Sequence, residues 1–220
     1  MIALASGLLL GVLLGMRHAL EPDHLTAVSL LVARRRSPGA GLVVGMAWGA
    51  GHTLALFTVG CVLALIGHHL PPRTAPVFEL LVGVMLVVLG ARAIANARSQ
   101  RTPDAVAAAA SLDAPASLDR APLQPLIVGV IHGLAGSGAL TALVVAQLPT
   151  PFARLLYIAL FGAGSAIGMA CLTGLAGWPL ARISRSSPRL LGVVTGAAGA
   201  ISLLLGSFWG WSAIRALIAP

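Results

Sequence analysis

The octapeptide Arg17-His18-Ala19-Leu20-Glu21-Pro22-Asp23-His24 holds five side chains that can carry charge, inside an otherwise apolar run from Leu8 to Ala33. Each ionised side chain placed at membrane depth costs about 2.5–3.5 kcal/mol, so such a cluster marks a functional site by default. Its residue types are complementary. Two imidazoles and a carboxylate supply nitrogen and oxygen ligands for a divalent transition metal. In an unbroken helix Asp23 and His24 diverge by about 100° and do not face one ion. Pro22 removes a backbone donor and clashes with the preceding turn, so a break or kink is expected near Ala19–Asp23. With that break, His18, Asp23 and His24 are the first three expected ligands.

Two further histidines lie in apolar segments. His52 follows Gly49 and Gly51, which allow a second helix to approach closely. His132 stands in a sequence that echoes the surroundings of His18. Both are expected to join the site. Thr53 and Ser137 are candidates either to fix imidazole tautomers through hydrogen bonds or simply to pack between helices. Arg17 and Glu21 are four apart and suited to pair on a helix. Glu79, near the outer end of the third apolar segment, is expected on an access path, and His68-His69 on the same side offers first capture of a metal.

Composition excludes most other classes. Of 220 residues, 58% are hydrophobic and 9% charged, against about 25% charged in a soluble domain. Mean hydropathy is +0.95. The expected fold is an all-α membrane protein. The net charge is +8 and every basic residue is Arg, but the arginines lie between apolar segments rather than in one patch, which argues against a nucleic-acid partner. Cys61 and Cys171 both lie in apolar segments and make no disulfide framework. No nucleotide or protease motif is present, so no enzyme is expected.

A spanning helix needs about 20 apolar residues. Six candidates stand out at 2–33, 40–67, 76–98, 123–148, 152–178 and 189–218. The segment from Ser99 to Pro122 is rich in Ala, Ser, Asp and Pro and reads as a flexible loop. The chain thus divides into 1–98, a cytoplasmic loop 99–122, and 123–220. Arg34, Arg35, Arg36, Arg92, Arg98, Arg101, Arg120, Arg182, Arg185 and Arg189 flank one set of connections; only Arg73, Arg154 and Arg215 flank the other. The Arg-rich set is expected in the cytoplasm, with both termini outside.

The halves echo one another. Gly15-Met-Arg-His18 matches Gly129-Val-Ile-His132, Gly49-Ala-Gly-His52 matches Gly162-Ala-Gly-Ser165, and Gly83 and Gly90 match Gly199 and Gly206, at offsets of 114, 113 and 116. Three spans per repeat is an odd number, so two such repeats are inverted, as in many secondary transporters with a site at the midplane. The first and fourth helices are the interrupted pair. Gly133-Leu-Ala-Gly136-Ser137-Gly138 stands where Ala19 to His24 stands in the first half.

The His-x4-Asp-His pattern of His18, Asp23 and His24, preceded by Arg17, resembles the signature helix of the nickel/cobalt transporter family. Gly51-His52-Thr53 looks like that family's second motif. His132-Gly-Leu-Ala-Gly-Ser-Gly is more similar to the six-helix nickel permeases associated with urease accessory genes. The resemblance implies metal recognition by His18, Asp23 and His24. It also implies uptake of nickel or cobalt, as a transported substrate rather than a bound cofactor, across the cytoplasmic membrane. Protonated imidazoles do not ligate, so uptake is expected to weaken below about pH 6. A metal efflux permease of the same fold is the nearest rival. Its relatives carry a His-rich loop, and residues 99–122 hold no His. A small-anion or amino-acid exporter and a transmembrane thiol–disulfide relay are the rivals of other classes.

Overall fold

A chain this apolar must satisfy its backbone within its own segments, which leaves helices as the natural solution. The computed structural model describes residues 2–32, 38–66, 73–99, 123–135, 148 and 150–219. They form seven α-helices: α1 (Ile2–His18), α2 (Pro22–Val32), α3 (Pro38–Ile66), α4 (Thr74–Ser99), α5 (Leu123–Ala135), α6 (Pro151–Ser186) and α7 (Pro188–Ile218). Among the described residues, α3, α4, α6 and α7 are long and apolar enough to cross a bilayer, while α1 and α5 include shorter apolar stretches, Leu9–His18 and Leu123–Leu134. The protein is an all-helical membrane protein. The fourth expected segment, 123–148, is described as helix only to Ala135. Its expected interruption, with Ser137, lies outside the described residues, as do His68-His69 and the loop after Ser99.

The break near Pro22 is a full interruption rather than a kink. α1 closes with tight bonds from Leu20 N to Arg17 O (2.9 Å) and from Glu21 N to His18 O (3.0 Å), which use carbonyls a helix end leaves free. Pro22 then opens α2, where its missing N–H is not needed and its fixed φ suits the first turn. At the other extreme α6 runs past the expected end at 178, through Pro179, to Ser186. One lost bond at Pro179 does not end a helix of 36 residues that is otherwise intact. Ser187 stops it and caps α7, accepting from Leu190 N at 3.3 Å.

Glycines set how closely the helices approach. A Cβ on Gly90 would stand 2.6 Å from Gly199 O, and one on Gly199 would stand 2.9 Å from Gly90 O. Gly83 and Gly206 meet in the same reciprocal way, at 2.9 and 2.6 Å. Since 83 faces 206 and 90 faces 199, α4 and α7 run antiparallel. α3 and α6 do the same, with Gly49 against Ala166 and Gly162 against Thr53. Polar bonds join both pairs. Ser202 Oγ donates to Leu86 O (2.8 Å) and Thr53 Oγ1 to Gly162 O (2.8 Å). Small residues plus side-chain hydrogen bonds are the usual adhesive between helices in lipid. α1 packs on α6 and α5 on α3. α2 is nearly engulfed, with Ala27, Val28 and Val32 in a core with Val44, Trp48, Leu86 and Met169.

Candidate metal centre

Four helices carry polar side chains to one dry place. His18 is the last residue of α1, and Asp23 and His24 lie in the first turn of α2. His52 is mid-way along α3, and His132 lies near the end of α5. All five are at most 2% exposed. The interruption between α1 and α2 is what lets Asp23 and His24 share the site with His18. Asp23 also sits at a helix N-terminus, where the aligned peptide dipoles favour a negative charge.

The rings cluster tightly. The His24 centroid lies 4.3 Å from His18, 4.2 Å from His132 and 5.5 Å from His52. His18 and His52 are 5.2 Å apart, and His52 and His132 6.3 Å. His132 Nε2 lies 2.5 Å from Asp23 Oδ2. Asp23 Oδ1 is 3.2 Å from His24 Nδ1, and Glu21 Oε1 is 3.0 Å from His18 Nδ1. Neither of these last two contacts is aligned as a hydrogen bond. Both ring nitrogens of His18, His24 and His52, with His132 Nδ1 and Asp23 Oδ1, are buried without a hydrogen-bond partner.

Buried polar atoms are ordinarily paired; five ring nitrogens here have no polar partner, and the Nδ1 atoms of His18 and His24 have only an unaligned carboxylate contact, so the cluster calls for a guest. Neutral imidazoles and a carboxylate suit a divalent transition ion. Two groupings, His18/His24/His52 and Asp23/His24/His132, place one ligand atom per residue within 4.8 Å of one another.

The supporting residues divide. Glu21 reaches His18 rather than Arg17, and Arg17 is exposed. Thr53 gives its hydroxyl to Gly162 O, a helix–helix contact rather than an imidazole. Glu79 is exposed on α4, outside both groupings. Two residues escaped the sequence reading. Trp48 is fully buried, stacks on His24 at 5.3 Å and meets His132 edge-on at 5.8 Å. Phe161 lies 5.5 Å from His18. The available signal was spacing: Trp48 precedes His52 by four, and Phe161 precedes Ser165, the counterpart of His52, by four.

Beyond the site, a cavity of about 590 Å³ opens between the C-terminal part of α2 and α4, α5 and α7, with Leu31, Arg92, Asn96, Gln124 and Thr195 in its wall. Leu31 is seven residues from His24, roughly 10 Å along the helix.

Fold and site together define the class: a polytopic helical membrane protein with a water-excluded His/Asp cluster between its helices. Comparison with known proteins narrows this. The chain is 34% identical to the urease accessory protein UreH of Bacillus sp. (strain TB-90) over 184 residues, which are 83% of this chain and 81% of the relative. The chain belongs to the UreH family. It is also 27% identical to the chloroplast proteins FOR GROWTH AND FERTILITY 2 and 1 of Arabidopsis thaliana, over 201 and 208 residues. It spans 54% and 56% of those two relatives. No family model and no solved structure matches.

Proposed function

We propose that this chain is a secondary transporter that takes up nickel or cobalt across the cytoplasmic membrane, with His18, Asp23, His24, His52 and His132 as the ligands of the passing ion. The observation that carries the reading is the convergence of those five buried side chains, most of their ring nitrogens unpartnered, at the break between α1 and α2. A relative that serves as a urease accessory protein agrees with nickel as cargo. It also agrees with the motif resemblance to urease-associated nickel permeases.

The architecture that goes with this function is two inverted three-helix repeats with six spans, α1–α4 and the chain from α5 to α7. Contact geometry supports it. Shifting residues by the repeat offsets turns the Gly15–Phe161 contact into Gly129–Trp48, and Gly49–Ala166 into Gly162–Thr53, and each of these contacts is present. Antiparallel self-pairing of α4 with α7 and of α3 with α6 puts the relating axis across the helices, as an inverted repeat needs. The Arg distribution supports an arrangement with both termini outside. The cavity beside Leu31 lies on the cytoplasmic side of the site and serves as the inward vestibule. With no nucleotide motif, the gradient and the membrane potential drive the ion; a divalent cation gains about 4.6 kcal/mol per 100 mV.

The test is metal accumulation, and its direction, in cells expressing the parent, His18→Ala or Asp23→Asn. Uptake by the parent and its loss in both variants is the expected result. Variants that accumulate nickel and cobalt like the parent overturn the site, and net efflux by the parent overturns the direction.

A further inference from the structure

The five ligands do not converge as one shell. His52 and His132 stand on opposite flanks of the cluster, 6.3 Å apart by ring centroid, and the ligand atoms group as two triads rather than one pentad. His24 is the member common to both. Its ring is almost equidistant from those of His18 and His132, at 4.3 and 4.2 Å. Its Nε2 is buried without a polar partner, and its Nδ1 has only the unaligned contact with Asp23 Oδ1.

Resting on the transport reading above, we infer that the protein holds one divalent cation at a time in either of two alternative three-ligand sites that share His24, and that the ion passes from one to the other during transport. The first site is His18, His24 and His52, all imidazole. The second is Asp23, His24 and His132, with a carboxylate.

Chemistry and geometry converge on this. A neutral imidazole has one nitrogen lone pair and one N–H, so His24 ligates in one triad at a time. Two doubly charged ions on either side of one ring would repel strongly in a dry interior, so the sites fill alternately. The triads also differ in chemistry. The first leaves the full charge of the ion in place, while the second neutralises part of it. Each has its own aromatic wall: Phe161 touches His18, and Trp48 stacks on His24 and meets His132. By the repeat offset, Trp48 and Phe161 are counterparts, as are His18 and His132. The two halves therefore contribute a matching histidine and aromatic to each site, His18 with Phe161 at one and His132 with Trp48 at the other, while Asp23, His24 and His52 come from the first half alone.

Alternative sites have a binding signature that a pooled site lacks. Their association constants add, so deleting the weaker triad leaves affinity within about twofold of the parent. In a five-ligand shell every deletion weakens binding substantially. The experiment is equilibrium dialysis of the purified full-length protein with Co2+, on the parent and on His52→Ala, His132→Ala and His24→Ala, beside Co2+ uptake in cells. The expected parent stoichiometry is one. One of His52→Ala and His132→Ala binds within about twofold of the parent, the other more weakly, and both lose uptake. His24→Ala binds least of all. The proposal falls if the parent binds two ions, if both single deletions abolish binding, or if His24→Ala binds as well as they do. A parent that binds no Co2+ or Ni2+ at all sinks the transport reading itself, a distinct outcome. Should a variant not fold, X-ray absorption on the Co2+-loaded parent asks the same question. Two or three imidazoles on the ion support two triads, and four overturn them.

Discussion

His24→Leu separates a transport site from a structural polar network. His24 is fully buried, and neither ring nitrogen has a hydrogen-bond partner. An unpaired buried polar group costs about 1–3 kcal/mol, so the two nitrogens cost the empty fold about 2–6 kcal/mol. Leucine occupies similar space, and its difference in shape costs up to about 1.5 kcal/mol. The unaligned 3.2 Å contact with Asp23 Oδ1 adds little, because Asp23 keeps His132 as its partner. The metal-free variant should therefore be more stable than the parent by roughly 0.5–6 kcal/mol. Ligand linkage should narrow that gap, and invert the order where the gap is below about 2.7 kcal/mol. At a concentration 100 times Kd, Ni2+ stabilises the parent by about 2.7 kcal/mol, and the variant gains nothing. The assay is unfolding of the detergent-solubilised protein, with and without Ni2+. A metal-free His24→Leu protein that unfolds more easily than the parent refutes the reasoning, because the imidazole would then be a structural member of the core.

Four further outcomes are expected. A double-mutant cycle between Asp23→Asn and His132→Ala should return a coupling of about 1.5–3 kcal/mol in unfolding experiments, as befits a charge-assisted bond in a dry site; additive effects would dissolve that pair. Gly90→Val should cost about 1–3 kcal/mol or prevent folding, because its side chain meets the α7 backbone at Gly199. Gly7→Ala, with nothing within 4 Å, should be neutral in the same stability assay. Replacing Cys61 and Cys171 together by Ala should leave metal uptake at the parent level. Both are free thiols, one half-buried and one exposed, and loss of activity would favour a thiol relay.

Much of this centre was legible because membrane depth makes charge conspicuous. His18, Asp23 and His24 stood out as ionisable residues where lipid penalises them, and Pro22 announced the break through its missing donor. His52 and His132 were legible through the flanking glycines and the repeat. Aromatic walls were not. A Trp or Phe in an apolar helix looks the same whether it faces lipid or a buried polar cluster, so Trp48 and Phe161 emerged only from packing. The hydroxyls left two roles open for a related reason. Thr53 sits beside His52 in sequence, but on a helix adjacent residues diverge, and its oxygen reaches α6 instead. The length of α6 was hidden because Pro179 reads locally as a stop, while the turns on either side keep their own bonds.

The most direct measurement is anomalous scattering from crystals of the full-length protein soaked in Ni2+ or Co2+. The account predicts a single peak per chain, within ligand distance of His24 and bordered by His18 and His52 or by Asp23 and His132. A metal-loaded chain whose peak lies elsewhere, with the His24 ring untouched, would contradict it.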